Sequence, residues 1–371
     1  MASRFKFYDI RRLLKDYPES YYYVVFGERS NGKTYSALDY ALERYRKNGE
    51  QFAYLRRWGE DIRKKNLVNL FSGHVENGRV SQIFDGEWNQ IYYGSSRFYL
   101  ERTNDEGDIE RADDPCGFAF DLNSMEHYKS TSFPRITTII FDEFMSRNGY
   151  LPNEWVLFMN SLSTIIRHRD NVKIIMLGNT VNKYCPYFKE MGLNHISDQM
   201  PGTVDVYHYG DRGLTVAVEY TGTSVKHGGK ASDVYFSFDN PELKMITGGA
   251  WEIAIYPHLN VKYRPKDVVY NFFVQFEEEV LHGEIISLDS GPFIFLHRKT
   301  TPIKEETEDI VYTTKPDERW NYRMCLTKHS DKLSLFILKC IRENRIFYST
   351  NEIGEVFRNY IMWSDSFSIK N

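Results

Sequence analysis

The chain has 371 residues, 42% of them hydrophobic and 26% charged, a composition that supports more than one buried core. Its 47 Lys+Arg against 51 Asp+Glu give a formal charge of −4, which excludes a uniformly basic coat for nucleic acid but allows local basic patches. Aromatic residues at 16% argue against disorder, and the longest uncharged stretch, Trp155 to Ile166, falls well short of the ~20 residues a membrane span needs.

The opening, MASRFKFYDIRRLLKDY, is broken by charges every few residues and contains no signal-peptide core. Four scattered cysteines (Cys116, Cys185, Cys325, Cys340) form no C-x-x-C pair, so a soluble protein of a reducing interior is expected. Buried-strand runs predict strands at Tyr21–Phe26, Phe52–Leu55, Thr137–Phe141 and Lys173–Leu177. Between them, apolar residues at helical spacing predict helices over Thr34–Lys47 and Asn153–His168, the alternation of a parallel α/β sheet. Ser81–Phe120 differs: short aromatic runs separated by glycine and an acidic stretch predict β-hairpins, a lid or subdomain within an insertion of about 60–125.

Gly202–Asp233 is rich in Gly, Thr, Ser and His and reads as a connector. The division expected is a first domain over 1–204, a linker over 205–245 and a smaller domain over 246–371. In the last, strand candidates WEIAIY, VVYNFFVQF, EIISL and PFIFLH precede helices Asp331–Glu343 and Asn351–Trp363. The second helix is entered through the capping-box spacing Ser349-x-x-Glu352, and strands followed by helices predict an α+β domain.

Gly27, Glu28, Arg29, Ser30, Asn31, Gly32, Lys33 and Thr34 fit G-x-x-x-x-G-K-[ST], with a β-run ending at Gly27 and a helical pattern beginning at Lys33. The glycines let the backbone fold into a nest of N–H groups for phosphate, and the helix adds its positive dipole end. Lys33 is expected to reach the β- and γ-phosphates and the Thr34 hydroxyl to help hold Mg²⁺. Tyr35, the next helical residue, completes the cofactor-binding set. This context predicts a nucleotide site rather than a tight turn with an incidental lysine.

The strand over Ile136–Phe141 runs into Asp142-Glu143, placing two carboxylates at the sheet edge where ligands bind in open α/β folds. Asp142 is expected to hold the metal through its water shell and Glu143 to orient or deprotonate the attacking water. A glutamate directly after the metal aspartate points to ATP hydrolysis rather than to a GTPase switch. Asn179, ending the next strand, is positioned to contact the γ-phosphate or lytic water; capping a turn is the plain alternative.

Arg167 and Arg169 close the second helix, where the dipole favours cations; Arg167 is also a candidate arginine finger for a neighbour's nucleotide. Lys129 is a second candidate. Arg56 and Arg57 follow a strand and read as nucleotide or DNA contacts or as solvated charges, and Arg29 as a brace of the loop.

Taken in order, GERSNGKT, GEQFAYLRRW, YKS…P…TTIIFDEF, YLPNE…IIRHR and MLGN…PYF resemble the DNA-packaging ATPases of small phi-29-like podophages, distant relatives of large terminases. The resemblance covers about residues 1–200 and continues more weakly through VVYNFFVQF and RIFYSTNEIGEVFRNYI. It implies an α/β P-loop ATPase domain of the ASCE/RecA-like kind with a parallel sheet, and a C-terminal α+β domain that is RNase H-like. By position it implies Lys33 and Thr34 as the Walker A pair, Asp142 and Glu143 as the Walker B pair, Asn179 in the coupling motif, and Arg167 and Lys129 as trans-acting cations. After LRRW this chain has Gly59-Glu60 where relatives place a basic residue, which puts a lid lysine in doubt.

The function implied is an ATP-driven translocase that packages double-stranded viral DNA into a procapsid. It would work as a homo-oligomeric ring, a pentamer, docked on the portal or connector directly or through an adaptor RNA or protein. It would use ATP and Mg²⁺ in the cytoplasm of the infected host, attach only transiently to the procapsid vertex, stay out of the mature virion and need no membrane. Candidate DNA grips, acting on phosphates without reading sequence, are Arg56, Arg57, Arg63, Lys64, Lys65, Lys226 and Lys230. An RNase H-like nuclease needs clustered carboxylates for two metal ions, and here Val268–Phe276 carries no aspartate. Glu277, Glu278 and Glu279 lie at its end and Asp289 after the next strand, so a nuclease-dead domain binding DNA or procapsid is expected. A terminase-type active nuclease and a nucleotide-switched DNA-binding protein without motor activity are the alternatives.

Overall fold

Runs such as YYVVFG, ITTIIFD and KIIMLGN are apolar at nearly every position, as strands covered on both faces must be. The computed structural model describes residues 7–29, 31–104, 106–146, 149–179, 184–196, 198–210, 213–222 and 256–368. The chain divides into two compact units, residues 1–147 with 153–251, and 148–152 with 252–371.

The first unit begins with helix α1 (Ile10–Asp16), strand β1 (Tyr22–Gly27), helix α2 (Lys33–Asn48) and strand β2 (Gln51–Arg56). Three short helices follow, α3 (Lys64–Leu67), α4 (Ser72–Glu76) and α5 (Arg79–Ile83), and then strands β3 (Gln90–Gly94), β4 (Arg97–Thr103), β5 (Ile109–Arg111) and β6 (Gly117–Asp121). Strand β7 (Ile136–Asp142), helix α6 (Glu154–Ile166), strand β8 (Lys173–Asn179), helix α7 (Pro186–Glu190) and strands β9 (Thr203–Tyr209) and β10 (Leu214–Tyr220) complete it.

These strands form one ten-stranded sheet, ordered β3-β4-β6-β2-β7-β8-β1-β10-β9 with β5 paired to β4. From β6 to β10 every neighbouring pair is parallel, while the two ends are antiparallel. One face packs on α2 through Ala37, Leu38, Ala41 and Leu42, all buried together with Tyr23, Val25, Ile140 and Ile175. The other is an aromatic layer in which Phe141, Phe158 and Tyr187 meet at centroid distances of 5.1–5.5 Å. The helices end where backbone chemistry requires: Gly49, at φ +68°, lets its N–H close on the Tyr45 carbonyl after α2.

Two expectations are corrected here. Residues 205–209 and 214–220, read as the start of a connector, belong to β9 and β10, and β10 lies directly beside β1. The hairpins of Ser81–Phe120 do not stand apart as a subdomain, because β4 pairs with β6 and β6 with β2, so they lengthen the main sheet. Residues 223–245 of the expected linker, the WEIAI run and Ser30 lie outside the described residues, and with them Lys226 and Lys230.

The second unit contains strands β11 (Val268–Phe276), β12 (Glu279–Leu288), β13 (Gly291–Arg298), β14 (Ile310–Thr313) and β15 (Tyr322–Met324), helix α8 (Lys332–Arg342), strand β16 (Ile346–Tyr348) and helix α9 (Asn351–Ser368). Its sheet order is β15-β14-β11-β12-β13-β16. An antiparallel meander, β11 to β13, is extended by parallel β14 and β15, an order that agrees with the RNase H-like expectation. Asp331 caps α8 by accepting from Leu333 and Ser334 N–H. At α9 the cap is Thr350, whose hydroxyl accepts from Ile353 N–H at 3.3 Å, one residue later than the expected Ser349 box.

Candidate functional site

The carboxyl ends of β1, β7 and β8 meet at one cleft of about 650 Å³. Gly27 ends β1 at φ +148°, and a Cβ there would lie 2.0 Å from the Thr221 hydroxyl, so only glycine fits. Gly32, at φ +92°, is the N-cap of α2 and brings no side chain of its own to it. Asn31 is buried, donates to Thr221 Oγ1 at 3.1 Å and accepts from Lys33 N–H at 3.3 Å. Thr221 follows β10 directly and is a member of the site that sequence reasoning missed, because its strand was read as connector.

Lys33 is buried, with Nζ 2.5 Å from the Glu28 carbonyl, 3.2 Å from Asn31 Oδ1 and 3.4 Å from Asn179 Oδ1. Burial pulls its pKa down to about 8, against the opposing attraction of Asp142 and Glu28. Thr34 donates to Asp142 at 3.1–3.2 Å, and the Tyr54 hydroxyl donates to Asp142 Oδ2 at 2.9 Å. Burial raises the Asp142 pKa, while Arg56 and the Tyr54 hydrogen bond oppose the shift. Tyr54, from the interior of β2, is a second participant the sequence did not single out. Tyr35 lines the cleft and stacks on His74 at 3.8 Å.

Glu143 follows β7 at φ +56°, a left-handed conformation unusual for glutamate. Its side chain is exposed and ion-paired with Arg56 at 2.6 Å. Asn179 ends β8 opposite Gly27, and β8 lies between β1 and β7, so loop, amide and acids share one edge. A chloride-like anion site is not what this edge offers: loop N–H groups, a lysine, a hydroxyl and a buried carboxylate suit a phosphate chain carrying a divalent cation.

The two adjacent arginines part company. Arg56 reaches Glu143 and Asp61, whereas Arg57 is buried, bonds Glu154 at 2.7 Å and donates to the Glu143 and Phe144 carbonyls. As a buried clamp between segments Arg57 is not available to DNA, which corrects that expectation; removing one member of such a pair costs about 3–5 kcal/mol. Arg63 pairs with Glu60, and Lys64 sits over the Tyr92 ring at 4.9 Å; both are exposed, as is Lys65. Arg29 is exposed beside the loop and Glu28 half-buried within it.

Arg167 and Lys129 do not line the cleft of their own chain. The structure brings them together on the surface, where the Arg167 guanidinium donates to the Lys129 and Thr131 carbonyls at 3.3 and 2.8 Å. Arg167 itself has φ +54° as it closes α6. Arg169 instead turns back onto the carbonyls of Ile165 and Pro134. In the second unit Glu277 occupies the β11–β12 turn, Glu279 pairs with Arg298 at 2.9 Å, and Asp289 is exposed after β12. These acids do not converge on one point among the described residues.

A parallel sheet with a glycine loop after one strand, an acid after another and a third strand between them defines a P-loop nucleotide-binding fold of the ASCE class. Residues 3–207, more than half of the chain, match the model of the podovirus DNA encapsidation protein (Gp16), and the chain belongs to that family. The DNA packaging protein of Bacillus phage B103 is 32% identical to it over 172 residues, 46% of this chain and 47% of that protein. The chain thus spans about half the length of the curated relatives it matches. The Phi-28 gp11 DNA packaging motor aligns over 98% of both chains with a TM-score of 0.52 and 17% identity. The phi-29 viral genome packaging motor assembly aligns over 96% of this chain and 99% of its own, with a TM-score of 0.51 and 20% identity. At those identities the likeness is one of fold. No helix among the described residues is long and apolar enough to cross a membrane.

Proposed function

We propose that this protein is an ATP-driven translocase that packages double-stranded DNA into a procapsid through the portal. The observation that carries the reading is the contact of Thr34 with Asp142 beside the buried Lys33, at the carboxyl edge of the sheet. The loop 27–34 would hold the phosphates of ATP, with Lys33 leaving its backbone carbonyls to pair with them. Thr34 and Asp142 would hold Mg²⁺, which supplies charge neutralisation on the phosphates. Glu143 would take the proton of the attacking water, and it becomes free to do so only when Arg56 releases its carboxylate. Asn179, within reach of Lys33 at 3.4 Å, would register the γ-phosphate and pass its loss to β8.

Hydrolysis in this scheme is completed across subunits of a ring, a pentamer in this proposal. Arg167 and Lys129 share one exposed surface outside their own cleft and would serve a neighbour's nucleotide. The C-terminal unit would bind DNA or the procapsid without cutting, since Glu277, Glu278, Glu279 and Asp289 do not form a two-metal cluster. Attachment to the portal, directly or through an adaptor RNA or protein, belongs to the same proposal, as does transient work in the host cytoplasm.

The test is steady-state ATPase activity with and without linear double-stranded DNA, for the parent chain and Glu143→Gln. DNA should stimulate the parent. The variant should bind ATP normally and lose about 10²–10⁴-fold in turnover. Parental turnover in Glu143→Gln, or an ATPase indifferent to DNA, would contradict the reading.

A further inference from the structure

Away from the nucleotide cleft, the second unit gathers a different kind of chemistry on its sheet. His282 on β12 and His297 on β13 are direct register partners, and Glu284 lies two residues along from His282. Alternation along a strand therefore projects all three from one face. It is the face away from the helices: neighbouring positions on β11 point the other way, where Phe276 meets Tyr360 of α9, and Tyr312, beside Phe272, bonds Ser334 of α8. One ligand atom from each of His282, Glu284 and His297 lies within 4.8 Å of the others.

The hydrogen bonds leave each histidine one ring nitrogen as a ligand atom. His297 Nδ1 lies 3.2 Å from the Arg298 carbonyl, an acceptor, so its proton sits there and Nε2 carries a lone pair. That Nε2 faces Glu284 Oε2 at 3.8 Å. His282 Nε2 lies 2.9 Å from Asn271 Oδ1, which leaves Nδ1 bare when the amide oxygen accepts. The Tyr263 hydroxyl donates to Glu284. Each ligand is thus held by an outer partner, as metal ligands are, and Phe273 and Phe295 flank the histidines at ring-centroid distances of 5.0 and 5.7 Å. A proton shared between His297 and Glu284 would satisfy that pair alone and leave the His282 lone pair without a role.

We propose that His282, Glu284 and His297 bind one divalent transition-metal ion of the zinc type. Two imidazoles and a carboxylate are an N/O donor set suited to zinc, with the fourth position open to water. Bond lengths of about 2.0–2.2 Å place such ligand atoms about 3.3 Å apart, so the present spacing closes by small side-chain rotations. The ion would pin β12 to β13 and, through Glu284 and Tyr263, hold the segment that leads into β11. None of its three ligands is among the acids considered above for a nuclease.

The experiment uses the full chain stripped with a chelator and titrated with Zn²⁺ and Co²⁺, read by calorimetry, by the visible bands of protein-bound Co²⁺ and by melting temperature. One equivalent should bind, with a rise in melting temperature. His297→Gln and Glu284→Gln, checked for fold by circular dichroism, should each weaken binding by more than tenfold. Asn271→Ala should weaken it about 10–100-fold through its hold on His282. Asp289→Asn should leave binding unchanged. Binding of the same strength in the two ligand variants would place the metal elsewhere among the chain's histidines and cysteines and overturn the proposal. So would the absence of any binding by the folded parent chain.

Discussion

Lys33 shows how a single residue is set up for its task. Its ammonium is surrounded by backbone carbonyl oxygens and two side-chain amide oxygens, but it is short of water, and burial leaves its pKa near 8. A bound triphosphate would restore that pKa toward or above the ordinary lysine value. Below about pH 8 the lysine is protonated with and without ligand, so binding takes up no proton. Above it the free chain has lost the proton and binding must recover it, so affinity falls by up to tenfold per pH unit. Calorimetry of ATP-analogue binding at pH 8.5, in two buffers of different ionisation enthalpy, should report net proton uptake, which should vanish at pH 7. Equal proton exchange at both values would contradict the assignment. Next to it, Arg56 is ion-paired with Glu143, so under the proposed function the resting chain would be held from hydrolysis by a residue that the sequence presents only as one of two equivalent arginines.

At the scale of elements, strands with uniform apolar runs were legible to within a residue or two. The Tyr21–Phe26 run is β1 as Tyr22–Gly27, and the Val268–Phe276 run is β11. The phosphate loop was legible because its chemistry is local: eight consecutive residues carry both the turn and the ligands. Connections between distant residues were not. Arg57 and Glu154 form a buried pair 97 residues apart, and nothing in the order RRW distinguishes the arginine of that pair from the one that pairs with Glu143. Strand β9 is half-exposed along its length and occupies the sheet edge, so it lacks the apolar run that marks an interior strand. The hairpin partners were invisible for the same reason: composition shows that β3 and β4 form a hairpin, but only β4's pairing with β6 shows that it extends the main sheet. Strands β14, β15 and β16, of three or four residues each, are too short for alternation to stand out.

For the whole molecule, the question is where one chain's site is completed. Arg167 and Lys129 lie together outside the cleft of their own chain, which is the arrangement a shared site requires. Mixing provides the discriminating assay. Arg167→Ala subunits keep Lys33 but lack a finger, and Lys33→Ala subunits keep the finger but cannot bind the phosphates productively. Each alone should be inactive in assembled rings, the finger being worth about 10³–10⁵ in turnover. Mixed together they should recover part of the activity, because an Arg167 from one subunit reaches an intact Lys33 in the next. A mixture no more active than its components would remove the trans role.

Beneath each of these lies the position of the nucleotide. Crystals grown with a slowly hydrolysed ATP analogue and Mn²⁺ test it directly, since the ion's anomalous signal locates it independently of the density for the ligand. Triphosphate density should run along residues 27–34, with Lys33 turned from the Glu28 carbonyl onto phosphate oxygen and the manganese peak between Thr34 and Asp142. An analogue bound elsewhere at saturating concentration, or a manganese peak remote from both residues, would contradict it.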